Sequence, residues 1–371
     1  MTFASLVFRN LLRQRMRTAL TIVGIGVGIT IVVALGAITG GLKDTAGAML
    51  REGGADFMVA RRGSADLTFS TVSEKEWAAV ASTEGVERAT GVLMHVTRHG
   101  SNPFFPLLGI RPAQLAESPP ALVSGQLLAP GATDEVILGR SAAVASGAAL
   151  GSRVTIDGKA LRVVGIYRSE NVFYDSGGYS PLATVQKLAR KPGVVTAVYV
   201  TAERGTDPAA LATALEDAFP DLTTVANVGE YGKVDQGIQV MDALNLAVSV
   251  LAVALGAIAV MNTMIMAVFE RTREFGILRA VGWRGSRIMR LVLTEALFLC
   301  LVAAVFGAAL GVLATRGVML IEEIRSFLEP TYTPDVFVRA VLIALGVGLV
   351  GALYPAYRAV RLSPMEALRH E

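Results

Sequence analysis

The 371-residue sequence is poor in the residues that build metal and redox centres. It contains one cysteine, Cys300, and three histidines, His95, His99 and His370. A single cysteine excludes internal disulfides and thiolate clusters. Because Cys300 lies in an apolar run, we expect a small buried side chain. His95 and His99 fall in a predicted strand, where a spacing of four separates them by about 13 Å, so we expect solvated surface histidines and no metal site.

The motifs of common enzymes and nucleotide-binding proteins are also missing. The sequence has no G-x-x-x-x-G-K-[ST], no H-E-x-x-H and no G-x-S-x-G. Adjacent acids such as Asp134-Glu135 and Glu322-Glu323 point in different directions, which favours surface charge over acid–base chemistry. We expect no catalytic residue and no cofactor on this chain.

Charged residues make up only 18% of the sequence, whereas soluble domains carry about 25%. The deficit is concentrated in four apolar runs, which predict membrane spans at residues 18–42, 243–269, 291–315 and 340–357. A helical span needs about 20 apolar residues, so the first three runs have ample length and the fourth is just long enough. The first run is too long for a cleaved signal peptide.

Arginines are concentrated at one end of these spans. They precede the first span (residues 1–17), fill the segment at 270–287 and follow the fourth span (residues 358–371). The positive-inside rule then places both termini and residues 270–287 in the cytoplasm, and residues 43–236 and 316–339 outside. This topology accounts for the excess of basic residues, so we expect no nucleic acid partner.

Residues 43–236 predict an α+β domain. Ser73 and Glu76 form a capping-box pattern that begins a helix, and Asp157-Gly158 predicts a two-residue hairpin turn. A strand, a helix and a strand then follow in β-α-β order at residues 194–201, 208–219 and 223–227. If the domain has two subdomains, we expect their boundary near residues 118–130. The predicted fold class is therefore an α-helical membrane protein with four transmembrane helices and a large extracytoplasmic α+β domain between the first and second.

Small residues and one acid mark the predicted spans. Glycines recur four residues apart in the first and third spans, a pattern that lets helix backbones approach closely. We expect a packed bundle or a dimer. Glu295 lies about one turn inside the third span, where a charge is a functional candidate, and we expect it to pair with a nearby arginine.

Residues 270–282 read ERTREFGILRAVG. They closely resemble the E-R-T-R-E-I-G-I-x-x-A-x-G signature of FtsX-like permeases, the membrane subunits of MacB-type ABC transporters. Residues 10–25 and 354–368 resemble the start and end of the same family. The order of one span, a large outer domain and three further spans matches as well. The resemblance implies a multi-pass protein of the prokaryotic cell membrane that works as a homodimer.

The resemblance also implies partners. Two copies of a cytoplasmic ABC ATPase, which would hold ATP and Mg²⁺, are expected to bind the permease; this chain shows no ATPase domain, so the ATPase is expected to be another polypeptide. Residues 270–287 would form the coupling helix, with the contact made by Glu270, Arg271, Arg273, Glu274, Phe275, Gly276, Arg279 and Gly282. A final helix at residues 358–371 would brace this contact through Ser363, Pro364 and Glu366.

Two functions stay open at this point. The first is ATP-driven efflux or extraction of a lipophilic or amphiphilic substrate such as a drug, haem, peptide or lipid-like molecule, through transmitted motion. The second is a non-transporting transmitter that acts on an extracytoplasmic partner such as an adaptor, a cell-wall hydrolase or a sensor. A substrate site is expected beside the membrane at Tyr231, Gln236, Met241 and Asp242. A tyrosine or methionine there could ligate haem iron, whereas an interfacial belt of tyrosine and polar residues is the alternative.

Overall fold

A computed structural model describes residues 15–51, 54–64, 67–227, 229–230, 236–325 and 328–361. The chain divides into two compact units. The helical unit contains the described residues up to Ile38, Ala243–Gly317 and those from Tyr332 onward. The sheet unit contains Thr39–Asp242 and Val318–Thr331.

The helices among these residues are α1 Arg15–Arg51, α2 Glu74–Ala81, α3 Pro112–Glu117, α4 Arg140–Ser146, α5 Val172–Asp175, α6 Leu182–Leu188, α7 Pro208–Ala218, α8 Gln236–Glu270, α9 Thr272–Ala280, α10 Gly285–Val318, α11 Glu322–Arg325 and α12 Pro334–Arg361. The strands are β1 Phe57–Arg61, β2 Val72–Ser73, β3 Val86–His99, β4 Asn102–Ile110, β5 Leu122–Gly125, β6 Glu135–Gly139, β7 Arg153–Ile156, β8 Lys159–Tyr167, β9 Gly178–Pro181, β10 Val194–Val195, β11 Ala197–Ala202 and β12 Leu222–Val225.

Four of the described helices, α1, α8, α10 and α12, are long and apolar enough to cross a membrane. Each contains one predicted span and extends beyond both of its ends. The extensions include weak helix formers such as Gly237 and Gly285. Pro334 begins α12, and the first turn of a helix tolerates proline. The predicted segment at 270–287 divides here: it contains the end of α8, all of α9 and the start of α10.

Glycines let the long helices of the helical unit pack closely. A Cβ atom added at Gly311 would lie 2.9 Å from Val33 Cβ, and one added at Gly348 would lie 3.1 Å from Cys300 Sγ. Neither site has room for a larger residue, as expected where helix backbones meet. Cys300 is fully buried in this packing. Gly24, by contrast, has no neighbour within 4 Å, so the glycine spacing alone does not identify the contacts.

The described residues of the sheet unit form a ten-stranded sheet in the order β12-β1-β11-β3-β4-β9-β6-β8-β5, with β7 paired to β8. Side chains alternate between its two faces. Phe57 and Val59 belong to the core on one face, whereas Met58 and Ala60 belong to the core on the other. Both faces are therefore covered.

Local signals in the sequence correspond to the observed elements. Ser73 and Glu76 form the complete capping box at the start of α2. Asp157 and Gly158 both have positive φ, 48° and 77°, as a type I′ hairpin turn requires, and Ile156 pairs with Lys159 across it. Strands β11 and β12 flank α7 as expected. Antiparallel β1 lies between them in the sheet.

The predicted subdomain boundary near residues 118–130 does not interrupt the sheet. Strands β4 and β9, which lie on either side of these residues in the sequence, pair in parallel. The prediction of solvated histidines is wrong for His99, whose buried Nε2 has no partner among the described residues. His95 is partly exposed, and its Nε2 lies 2.6 Å from Asp157 Oδ2. The β7–β8 hairpin covers this part of β3, a long-range contact that a local pattern does not reveal.

Candidate functional site

The junction between α8 and α10 is a short helix with defined ends. α8 ends at Glu270, and Arg271 has non-helical backbone angles of φ −108° and ψ 14° before α9 begins. At the other end, Gly282 N–H donates to Arg279 O and Trp283 N–H donates to Leu278 O, both at 3.0 Å. This is the Schellman pattern, which needs a left-handed residue after the helix. Gly282 supplies it with φ +99°.

The inner face of α9 is anchored in the helical unit. Phe275 is 1% exposed and belongs to its hydrophobic core, together with residues such as Ile288 and Val292. Gly276 is also buried, whereas Arg279 is half-buried. The phenyl ring of Phe275 therefore lies inside the unit, so this predicted site residue can serve a partner only by fixing the position of α9.

The opposite face of α9 is exposed and largely apolar. Arg273, Ile277, Ala280 and Val281 are all exposed, and their spacing puts them on one side of the helix. Val281 is 76% exposed and Ile277 46%. We call these four residues the outer stripe. An apolar stripe with a cation at one end can bury a hydrophobic centre against a protein partner while its rim stays polar.

Two charged side chains at the junction, Arg271 and Glu274, are paired within the chain. Arg271 Nη1 lies 2.9 Å from both carboxylate oxygens of Glu295, and Arg271 Nε donates to Glu274 Oε2 at 3.0 Å. The Arg271 side chain is 13% exposed and that of Glu295 is 5% exposed. The guanidinium also lies 5.0 Å from the Phe275 ring centre. The expected pairing of Glu295 with an arginine is confirmed.

The residue before Arg271 is tied to a different helix. Arg17 of α1 donates to both oxygens of Glu270, at 3.0 and 3.2 Å. One turn further along, Thr21 and Thr263 hydroxyls are 2.7 Å apart. The consecutive residues Glu270 and Arg271 thus connect the start of α9 to α1 and to α10. A displacement of α9 would pull on both helices at once.

The structure describes only some of the other predicted site residues. Ser363, Pro364 and Glu366 lie outside the described residues, and so does Tyr231. Asp242 is exposed and forms an ion pair with Lys43 at 2.8 Å.

The remaining two predicted substrate residues also lie on α8. Gln236 stands at its first position, where its amide donates to Gly63 O at 3.4 Å. Met241 is half-buried. Gln236 and Asp242 contact different partners, Gly63 and Lys43.

The residues that sequence reasoning did not include in the site are Ile277 and Val281. Their apolar character and spacing indicate one side of a surface helix, whereas the charged neighbours are the residues predicted to contact the partner. The sequence pattern that indicates them is the spacing of Ile277 and Val281. If Phe275 faces the core, this spacing places both on the exposed side of the helix.

The chain is similar to known permeases along its length. Residues 18–218 match the MacB-like periplasmic core domain family, and residues 246–364 match the FtsX-like permease C-terminal family. The macrolide export ATP-binding/permease protein MacB of Syntrophobacter fumaroxidans is 35% identical over 158 residues, which are 42% of this chain and 22% of that protein. The protein of the same name from Agrobacterium fabrum is 26% identical, over 96% of this chain and 59% of that protein.

The chain therefore spans less than two thirds of these relatives. The crystal structure of the periplasmic region of MacB from Actinobacillus actinomycetemcomitans aligns with 49% of this chain and 93% of its own, with 17% identity and a TM-score of 0.39. The two matched segments follow the order of the elements along the chain, in which the strands of the sheet unit lie between α1 and α8. The chain belongs to the MacB-like, FtsX-like family of ABC transporter permeases.

Proposed function

We propose that this chain is the permease subunit of an ABC transporter, and that α9 docks its outer stripe on a separate cytoplasmic ATPase subunit. The observation that carries the proposal is the exposure of Ile277 and Val281 on a helix whose other face is fixed in the helical unit. Full burial of an apolar side chain contributes about 1.5–3 kcal/mol. Two such side chains at the centre of a polar rim would make an adequate anchor for a partner groove.

The pairing at the junction supports force transmission as the role of this contact. ATP-driven closure of two ATPase subunits would move α9 in each permease of a homodimer. Because Glu270 is paired with Arg17 and Arg271 with Glu295, that movement would reach α1 and α10 without passing through a flexible linker. α8 is continuous with the same joint, since it ends at Glu270. The long helices would then carry the motion toward the extracytoplasmic side.

The work done there is proposed to be efflux or extraction of a lipophilic or amphiphilic compound. Membership of the MacB-like, FtsX-like family supports this class. One observation favours the second function, a non-transporting transmitter that acts on an extracytoplasmic partner. Asp242, a predicted substrate residue, already accepts hydrogen bonds from Lys43. The predicted substrate or haem site therefore has fewer polar groups available for a ligand.

The docking proposal is tested by co-purification of the ATPase subunit with full-length permease variants. Val281→Asp would place a carboxylate in the apolar centre, and we expect the affinity to fall roughly 10- to 100-fold. Val144→Asp is the matched control, because Val144 is also 76% exposed and lies on α4 of the sheet unit. The control should bind the ATPase like the wild type. Equal binding by both variants would show that α9 does not make the contact.

Transport and transmission are separated by a second measurement on the assembled complex. Stimulation of ATP hydrolysis by lipophilic compounds in reconstituted vesicles, with net movement of the compound, supports efflux. Hydrolysis that responds only to an added extracytoplasmic protein supports the transmitter. The Val281→Asp variant should lose either response, since both depend on coupling through α9.

A further inference from the structure

The last two turns of α12 carry an exposed row of aromatic and cationic side chains. Tyr354 precedes Tyr357 by three residues and Arg358 by four, and Arg361 follows them by four and three, so all four share one side of the helix. All four are exposed. Phe269, near the end of α8, is 48% exposed and adjoins them, because the Arg358 guanidinium carbon lies 5.0 Å from its ring centre. We call these five residues the aromatic-arginine face.

The two arginines of this face are positioned by rings and not by acids. Arg358 Nη1 donates to the Tyr354 hydroxyl at 3.2 Å, and the Arg361 guanidinium carbon lies 4.7 Å from the centre of the Tyr357 ring. Within the described part of the chain, neither arginine forms an ion pair with a carboxylate. The nearest acid in sequence to Phe269 is Glu270, which pairs with Arg17.

Two guanidinium groups therefore retain most of their donors for a ligand. Each guanidinium has five N–H donors in a planar fork. That fork matches the spacing of phosphate oxygens and binds them with two parallel hydrogen bonds. Stacking on the aromatic rings limits the rotamers of both side chains, so less conformational entropy is lost when an anion binds.

Further from the C-terminal end of α12, the same side of the helix is apolar. Val350 is 60% exposed and Leu353 57% exposed, and both lie on the stripe that continues to Tyr357 and Arg361. Along about 16 Å of helix the surface changes from aliphatic to aromatic to cationic. A bilayer changes in the same order from acyl chains through the interface to the phosphates. A single amphiphile aligned with α12 would meet each part of this gradient.

We propose that the aromatic-arginine face binds the headgroup of an anionic phospholipid in the leaflet on the side of the α9 junction. The phosphate would lie between Arg358 and Arg361, with Tyr354 and Tyr357 at the glycerol level. The acyl chains would run along Leu353 and Val350. The positive-inside rule assigns this end to the cytoplasm, where anionic lipid adds to the attraction of juxtamembrane arginines. A protein surface would match the cations equally well but would not explain the aliphatic continuation.

The test is native mass spectrometry of the full-length protein titrated with phosphatidylglycerol or phosphatidylcholine. The wild type should retain phosphatidylglycerol more strongly. The double substitution Arg358→Gln and Arg361→Gln should weaken its retention roughly 30-fold and remove the preference. Arg316→Gln, at an exposed arginine near the other end of α10, is the charge control and should leave retention unchanged. Arg358→Lys keeps the charge and loses the fork, so it should fall between the wild type and Arg358→Gln.

Three results would overturn the proposal. The first is equal retention of the two lipids by the wild type. The second is a loss in Arg316→Gln as large as that in the double variant, which would indicate a general charge effect. The third is unchanged lipid retention in the double variant together with loss of the ATPase subunit or of the homodimer, which would assign this face to a protein partner. A gel-filtration profile like that of the wild type confirms that each variant is folded.

Discussion

Removal of Glu295 tests whether the buried ion pair holds the joint together. In Glu295→Leu the Arg271 guanidinium keeps its charge but loses two hydrogen bonds of 2.9 Å. Loss of one partner of a buried pair costs about 3–5 kcal/mol, because the other charge stays desolvated. Arg271 is 13% exposed and retains Glu274 at 3.0 Å. We therefore expect a loss near the lower end, about 3 kcal/mol in the free energy of unfolding.

The neighbouring pair supplies a matched control. Arg17 and Glu270 are joined by similar hydrogen bonds, but their side chains are 25% and 45% exposed. Exposed pairs contribute about 0–1 kcal/mol. Arg17→Gln should therefore destabilise the protein far less than Glu295→Leu, even though both changes remove one member of an ion pair beside the same helix.

A double substitution separates the lost pairing from the buried charge that remains. Arg271→Met combined with Glu295→Leu removes both charges and keeps an apolar volume in place. Such replacements are often neutral or stabilising. We expect the double variant to recover most of the loss, about 2 kcal/mol of the free energy of unfolding relative to Glu295→Leu.

Equilibrium unfolding in mixed detergent micelles, followed by circular dichroism, measures all four proteins under one condition. The reasoning is refuted if Arg17→Gln and Glu295→Leu lose the same stability, or if the double variant is no more stable than Glu295→Leu. ATPase stimulation gives a second reading of the double variant. Recovered stability with impaired stimulation would mean that the pair transmits motion and does not merely stabilise the fold.

Two further predictions concern acid stability and helix packing. Burial lowers the pKa of His99 despite its contact with Thr155 O, so the unfolded chain binds this proton at a higher pH than the folded chain. Stability should fall as the pH drops below about 6.5, and His99→Leu should flatten this part of the Tm profile; an unchanged profile would contradict the assignment. At Gly307 an added Cβ would lie 2.7 Å from Ile29 Cβ, so Gly307→Val should cost about 1–3 kcal/mol. Gly346→Val, with nothing within 4 Å, should leave Tm near that of the wild type, and equal shifts would contradict this packing.

The parts of the fold that could be predicted from the sequence are those set by local chemistry. Long apolar runs form helices, and α10 and α12 continue even through Glu295 and Pro355. The turn at Asp157-Gly158 follows from the left-handed angles that glycine and aspartate tolerate. The order of the sheet could not be predicted in this way, because strands such as β4 and β9 pair although about 70 residues separate them in the sequence. The burial of the His99 imidazole depends on another long-range contact, between β3 and the β7–β8 hairpin.

The charged residues of the signature predict the candidate site, yet most of these charges bind within the chain. Glu270 pairs with Arg17, while Arg271 pairs with both Glu274 and Glu295. A spacing pattern defines the faces of a helix but not which face is covered; that depends on neighbours distant in sequence, such as Glu295. We infer that the charged signature chiefly fixes the direction of α9 and joins it to α1 and α10. The apolar outer stripe is then free to supply the docking energy. On this basis a substitution at Arg271 should reduce coupling even where ATPase binding persists, whereas one at Val281 should reduce binding first.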